Sequence, residues 1–178
     1  APIHDAALAL ADSKPLKTLI QMKGYKVQRL SVLTVICGFE DFCTKLSDFD
    51  GILQLLVTSL GDKMTINNAV RLMCALSSHN AGCQILNDNG LLELFTQLIL
   101  SSSNGDVLIT QIILRNLAKH DCDIPQVSLI VSCLMQDLIY QYSKKPAILD
   151  TLVALVEAFP SSVQEHDLQR IVIQQFTQ

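Results

Sequence analysis

Tryptophan is absent from the chain, aromatic residues make up 5% of it and charged residues 17%. Beside a hydrophobic content of 49%, so little charge excludes an intrinsically disordered polymer. The net charge of −4 argues against a nucleic-acid binder that works through bulk electrostatics. No apolar run reaches the roughly 18 to 20 residues needed to span a bilayer. The longest, Val127 to Tyr142, is interrupted by Ser128, Ser132, Gln136 and Asp137. Ala1 to Ala11 has no charged segment followed by the apolar core of a signal peptide. The six cysteines, at positions 37, 43, 74, 83, 122 and 133, make no CxxC pair and lie mostly in apolar helical stretches, where a thiol behaves as a small hydrophobe. They read as reduced, and no Asn-x-Ser/Thr sequon is present, so the expectation is an intracellular protein, cytoplasmic or nuclear. The chain has no initiator Met and reads as a piece of a longer protein.

The chemistry-bearing motifs are also missing. No Gly-rich phosphate loop, GxSxG or HExxH is present. His120-Asp121-Cys122-Asp123 gathers possible ligands and a nucleophile, but adjacent turn residues rarely converge on one point, and no second His/Cys pair has zinc spacing. That segment is expected to be a structural turn, with His79 and His120 placed near helix C-termini by the dipole. Asp48-Phe49-Asp50-Gly51 has neither the spacing nor the terminal Glu of a calcium loop and reads as a corner. The expectation is a protein with no catalytic residues, no metal and no cofactor, hence not an enzyme.

What is present is a helical plan that recurs. In Thr65 to Ser101, apolar residues fall at Ile66, Ala69, Val70, Met73 and Leu76, one face of a helix, with Thr65 as N-cap. A short apolar stretch from Ala81 to Leu86, a corner ending at Gly90 and an apolar helix from Leu91 follow. Upstream, Asp12 to Pro15 caps a helix whose buried side is Leu16, Leu19, Ile20 and Met22, and which Gly24 ends. Lys26 to Gly38 is a helix with Val27, Leu30, Val32, Leu33 and Ile36 inward, followed by a brief helix over Phe42 to Leu46 and an apolar one over Ile52 to Leu60. Downstream, helices are expected over Val107 to Lys119, Val127 to Tyr142, Pro146 to Ala158 and His166 to Phe176, with a short one at Ala6 to Ala11. No strand with sustained alternation appears.

The recurrence has a period. Gly51 and Gly90 are 39 positions apart, Cys43 and Cys83 are 40 apart, and His79 and His120, at the ends of equivalent helices, are 41 apart. A period of about 40 residues with one short and two longer helices is the mark of armadillo or HEAT-type solenoids. MCALSSH (Met73 to His79), LRNLAKH (Leu114 to His120) and the step from NAGCQILNDNG into LLELFTQLIL (Asn80 to Leu100) resemble the armadillo-repeat family, best from Val27 to about Lys119. The resemblance implies one all-α, armadillo-like solenoid domain over residues 1–178: a right-handed superhelix of about four three-helix repeats, degenerate at both ends.

In that family's peptide-binding members, third helices line a concave side with a ladder of Asn, often beside Trp. Here Asn116 keeps the Asn position while Val35 and Ala75 replace it, and Thr34, Cys74 and Arg115 stand at the Trp position. One rung cannot grip a peptide backbone along its length, which argues against importin-like binding of a basic signal. The remaining polar chemistry of the central third helices, Asn67, Arg71, Gln111, Arg115, Asn116 and Lys119, forms the candidate partner-binding face. Two arginines on adjacent helices can take carboxylates bidentately. The competing reading is a solvated face with no ligand. Lys14, Lys17, Lys23, Lys26 and Arg29 form a second, basic cluster, read as a solvated face or as a dock for an acidic segment. The apolar residues Leu138, Ile139, Tyr140 and Tyr142, with Ile171, Val172, Ile173 and Phe176, are candidates for an end surface. The expected function is therefore a scaffold or adaptor that binds a protein segment or helix, acidic by preference, on the concave face. Two alternatives stay open: an assembly or homo-oligomerisation domain working through the solenoid ends, and a regulatory domain sensing a small ligand.

Overall fold

The computed structural model describes residues 5–6, 9, 13–45, 50–101, 107–140 and 145–162. Its regular elements are helical, with no strand among the described residues. In chain order they are α1 (Lys14–Gln21), α2 (Lys26–Ile36), α3 (Glu40–Lys45), α4 (Asp50–Leu60), α5 (Ile66–Ser77), α6 (Asn80–Asp88), α7 (Leu91–Leu100), α8 (Val107–Lys119), α9 (Val127–Tyr140) and α10 (Lys145–Ala158), with a 3₁₀ turn at Pro160–Ser162. The expected helices at Ala6 to Ala11 and His166 to Phe176 fall largely or wholly outside the described residues, as does the Ser47 to Phe49 part of the first corner. No described helix is long and apolar enough to cross a membrane.

The chain divides inside α7 into two compact units, residues Ala1–Leu94 and Phe95–Gln178. In the first, α2 packs against α5 and α3 against α6, so each helix lies beside its counterpart one period further on. Helix α4 packs on α1, α2 and α5. The core of this unit includes Leu30, Leu33, Phe42, Ile52, Leu56, Leu72, Met73 and Leu76, all fully buried. In the second unit α10 packs against both α8 and α9, enclosing Ile113, Leu114, Leu117, Ile130, Ile148, Leu152 and Leu155.

Local signals set most of the boundaries. The Ser13 side chain accepts from the Leu16 N–H at 3.3 Å and Pro15 stands in the first turn, so α1 starts where sequence reasoning put it. Gly24 (φ 93°) and Tyr25 (φ 47°) turn the chain sharply into α2. Gly90 turns it through φ 66° before α7. Its counterpart Gly51 lies within α4 instead, and a Cβ there would strike the Ile20 side chain, so this glycine serves the close approach of α4 to α1.

Three expectations fail for physical reasons. Thr65 does not cap α5 with its side chain. Its hydroxyl donates to the Ser59 carbonyl at 3.1 Å and satisfies the end of α4. Val27 and Val32 point outward, 41% and 43% exposed, because Leu30, Leu33 and Ile36 set the inward register and Val32 lies about 200° around the helix from Leu30. Met22 is likewise exposed, lying past the end of α1.

Candidate functional site

The sequence-derived face is distributed over both units. Asn67 and Arg71, one turn apart on α5, are exposed in the first unit. No described carboxylate lies within ion-pair distance of Arg71. On α8 in the second unit Lys119 is exposed, while Asn116 and Arg115 are half-buried. Arg115 faces Asp150 of α10 at 3.8 Å, so its charge already has a partner. Gln111 does not face solvent as expected. It is 1% exposed, and neither its amide oxygen nor its amide nitrogen has a hydrogen-bond partner. The reason is register: Gln111 shares the inward side of α8 with Leu114, Leu117 and Ala118.

The packed neighbour α2 leaves Val27, Val32 and Val35 exposed, the last at 56%. Ser31 lies among them, its hydroxyl tied back to the Val27 carbonyl at 2.9 Å. Exposed β-branched residues on one helix and an exposed guanidinium on the helix packed against it supply an apolar and a cationic component.

The basic amino-terminal cluster is not one solvated face. Arg29 is 7% exposed and donates to the backbone carbonyls of Met22, at 2.6 Å, and Ile20. Those are orphan acceptors at the carboxyl end of α1, where the helix dipole favours a cation. Burial pulls the Arg29 pKa down, and its Nε has no partner. Lys26 is ion-paired with Asp62 at 3.6 Å, and Asp62 also accepts from the Met64 N–H at 3.0 Å. Together with Gln21, Gly51, Gln54, Leu55 and Thr58, Lys26 and Arg29 line an open cleft of about 520 Å³ between α1, α2 and α4.

A cluster that sequence reasoning missed joins the start of α6 to the end of α2. His79 follows Ser78, the C-cap of α5, and is also the N-cap of α6. Its Nδ1 accepts from the Gly82 N–H at 3.0 Å, which fixes the proton on Nε2. Nε2 donates to the Cys37 carbonyl at 2.9 Å and lies 3.7 Å from the Cys43 Sγ. The Cys43 thiol also donates to the Cys37 carbonyl, at 3.5 Å. The hydrogen bond from Cys37 lowers the Cys43 pKa to about 6, against burial and with help from His79, while Cys37 itself is raised well above the ordinary thiol range. For His79, burial opposes protonation, but Cys43 and the Cys37 carbonyl outweigh it and raise its pKa. The 40-residue spacing of Cys43 and Cys83 was visible in the sequence; the convergence of His79 on Cys37, 42 positions away, follows only from the packing of α3 against α6.

At the HDCD segment, Asp121 adopts φ 53° and the Cys122 N–H returns to the Leu117 carbonyl at 3.0 Å, which makes it the terminal turn of α8. Of the proposed end surface, Leu138 is buried; the side chains of Ile139 and Tyr140, and all of Tyr142, Ile171, Val172, Ile173 and Phe176, lie outside what the structure describes. No family model, curated protein or solved structure matches the chain.

Proposed function

We propose that the chain is an armadillo-like α-solenoid that works as a protein-interaction module, with α2 and α5 as the third helices of two successive repeats. The observation that carries this reading is that α2, which exposes Val27, Val32 and Val35, packs against α5, which exposes Asn67 and Arg71 with no described carboxylate in ion-pair distance. The partner it fits is an acidic amphipathic segment, whose apolar side covers the valines while a carboxylate takes Arg71 bidentately. The scaffold under the valines is packed and needs little reorganisation on binding, which favours affinity. Asn116 and Lys119 of α8 offer polar contacts of the same kind. Arg115 enters only by exchanging Asp150, and Gln111 is withdrawn from the set.

The experiment is a fluorescence-anisotropy titration against a panel of acidic, neutral and basic amphipathic peptides. The acidic peptide should bind best, and Arg71→Glu should weaken it by about tenfold or more, equivalent to ~1.4 kcal/mol. Equal affinity across the panel, or no effect of Arg71→Glu, would sink the proposal. The small-ligand reading is favoured by the cleft lined by Lys26 and Arg29. It is distinguished by a small anion that binds the chain and is lost in Lys26→Ala but not in Arg71→Glu.

A further inference from the structure

The cleft between α1, α2 and α4 lies within the first unit and shares no residue with the proposed binding face, and its charges do not balance. We infer that it is a binding site for a small monocarboxylate with a short apolar body. Arg29 and Lys26 hold the carboxylate, and the body lies on Ile20, Met22 and Leu55.

The buried cation is the first observation. Arg29 is 7% exposed, and a guanidinium withdrawn that far from water needs a counter-charge as well as hydrogen-bond acceptors. The acceptors are present in part: its two terminal nitrogens donate to the carbonyls of Met22 and Ile20, while Nε has no partner. The counter-charge is missing. Among the described residues no carboxylate lies within ion-pair distance of Arg29, and burial lowers its pKa with no acid opposing it. Such a cation in the wall of an open cleft of about 520 Å³ is completed by an anion from solution.

The second cation sets the charge of the ligand. Lys26 lines the same cleft, and its ammonium stands 3.6 Å from the Asp62 carboxylate in a partly exposed pair that an incoming anion can exchange. Two cations against one carboxylate leave a single positive charge, which a monocarboxylate neutralises and a phosphate dianion overcompensates. The rest of the lining sets the body. The Thr58 hydroxyl already donates to the Gln54 and Leu55 carbonyls, at 2.9 and 3.1 Å, so it offers the anion no further donor. Ile20, Met22 and Leu55 make an apolar wall, which Gly51 draws together by letting the Ile20 side chain approach α4. A bare inorganic ion leaves that wall wet, whereas a chain of a few carbons covers it.

The test is a titration of the full chain with hexanoate, hexanol, hexylammonium and inorganic phosphate at constant ionic strength, followed by amide chemical shifts in heteronuclear NMR. Hexanoate should give saturable shifts in α1, α2 and α4 around the cleft and bind at least about tenfold more tightly than the other three probes. Lys26→Ala should weaken hexanoate by about threefold or more. Asp62→Asn keeps an acceptor for the Met64 N–H but frees Lys26, so it should tighten hexanoate by about threefold. Arg71→Glu should leave hexanoate binding unchanged, so the failure of this site and the failure of the peptide-binding face are read separately. Equal binding of hexanoate and any other probe, saturable shifts confined to other helices, no response to Lys26→Ala and Asp62→Asn, or no saturable shift with hexanoate would overturn the inference. Variant spectra that match the parent away from the cleft establish that each comparison is made on folded protein.

Discussion

Gly82 shows how tightly single atoms set this fold. A Cβ at that position would run into the backbone carbonyl of Leu76 and stand 2.7 Å from the His79 ring, so the α5–α6 junction closes only around glycine. Gly82→Ala should therefore cost about 1–3 kcal/mol in denaturant melts, whereas Gly61→Ala, with open space around it, should change stability by less than about 0.5 kcal/mol. Cys43 makes a second residue-scale prediction. Between pH 6 and 9.0 the folded chain holds Cys43 as thiolate while the unfolded chain holds it as thiol, so Cys43 contributes stability that grows with pH, set against the raised His79, whose contribution falls as pH rises through its folded pKa. Above 9.0 an unfolded Cys37 ionises while the folded one is held protonated, and the trend reverses. The stability difference between the parent and Cys43→Ser, measured under reducing conditions, should widen from pH 6 to 9.0; a flat difference would contradict this.

At the scale of elements, what ties neighbouring helices together is mostly side chain to backbone. His79 satisfies the first turn of α6 with one ring nitrogen and the end of α2 with the other. His79→Asn keeps a capping side chain but cannot span to Cys37, so it should lose less stability than His79→Ala, which forfeits the cap as well, about 0.5–2 kcal/mol. Arg29 does the same for the end of α1, and Arg29→Ala, which leaves the Ile20 and Met22 carbonyls without their donor, should cost about 2–4 kcal/mol in the same melts. These ties also explain what the sequence revealed and what it hid. Helix positions and the Ser13 and Gly90 boundaries were legible because periodicity and capping are local signals. Arg29 and Gln111 were misread because a polar residue looks solvated until its neighbouring helix is placed, and the reach of His79 to the Cys37 carbonyl has no local signal. Val27 and Val32 were misread for the converse reason, since an apolar residue looks buried until the register of α2 is known.

At the scale of the whole chain of 178 residues, with a net charge of −4, the first unit packs α2 on α5 and α3 on α6. A stack of that kind buries its repeated faces and leaves corresponding outward faces side by side. In the proposed reading the exposed valines of α2 and Arg71 of α5 are such a pair and serve as one binding surface. The most direct measurement is a charge-swap cycle by titration calorimetry: the parent and Arg71→Glu, each against an acidic amphipathic peptide and the same peptide with its acidic residues changed to lysine. The account predicts tight binding for the two oppositely charged pairings, weak binding for the two like-charged ones, and a coupling of about 1.5 kcal/mol or more. Affinities that follow the peptide alone, unchanged by the sign at Arg71, would contradict it.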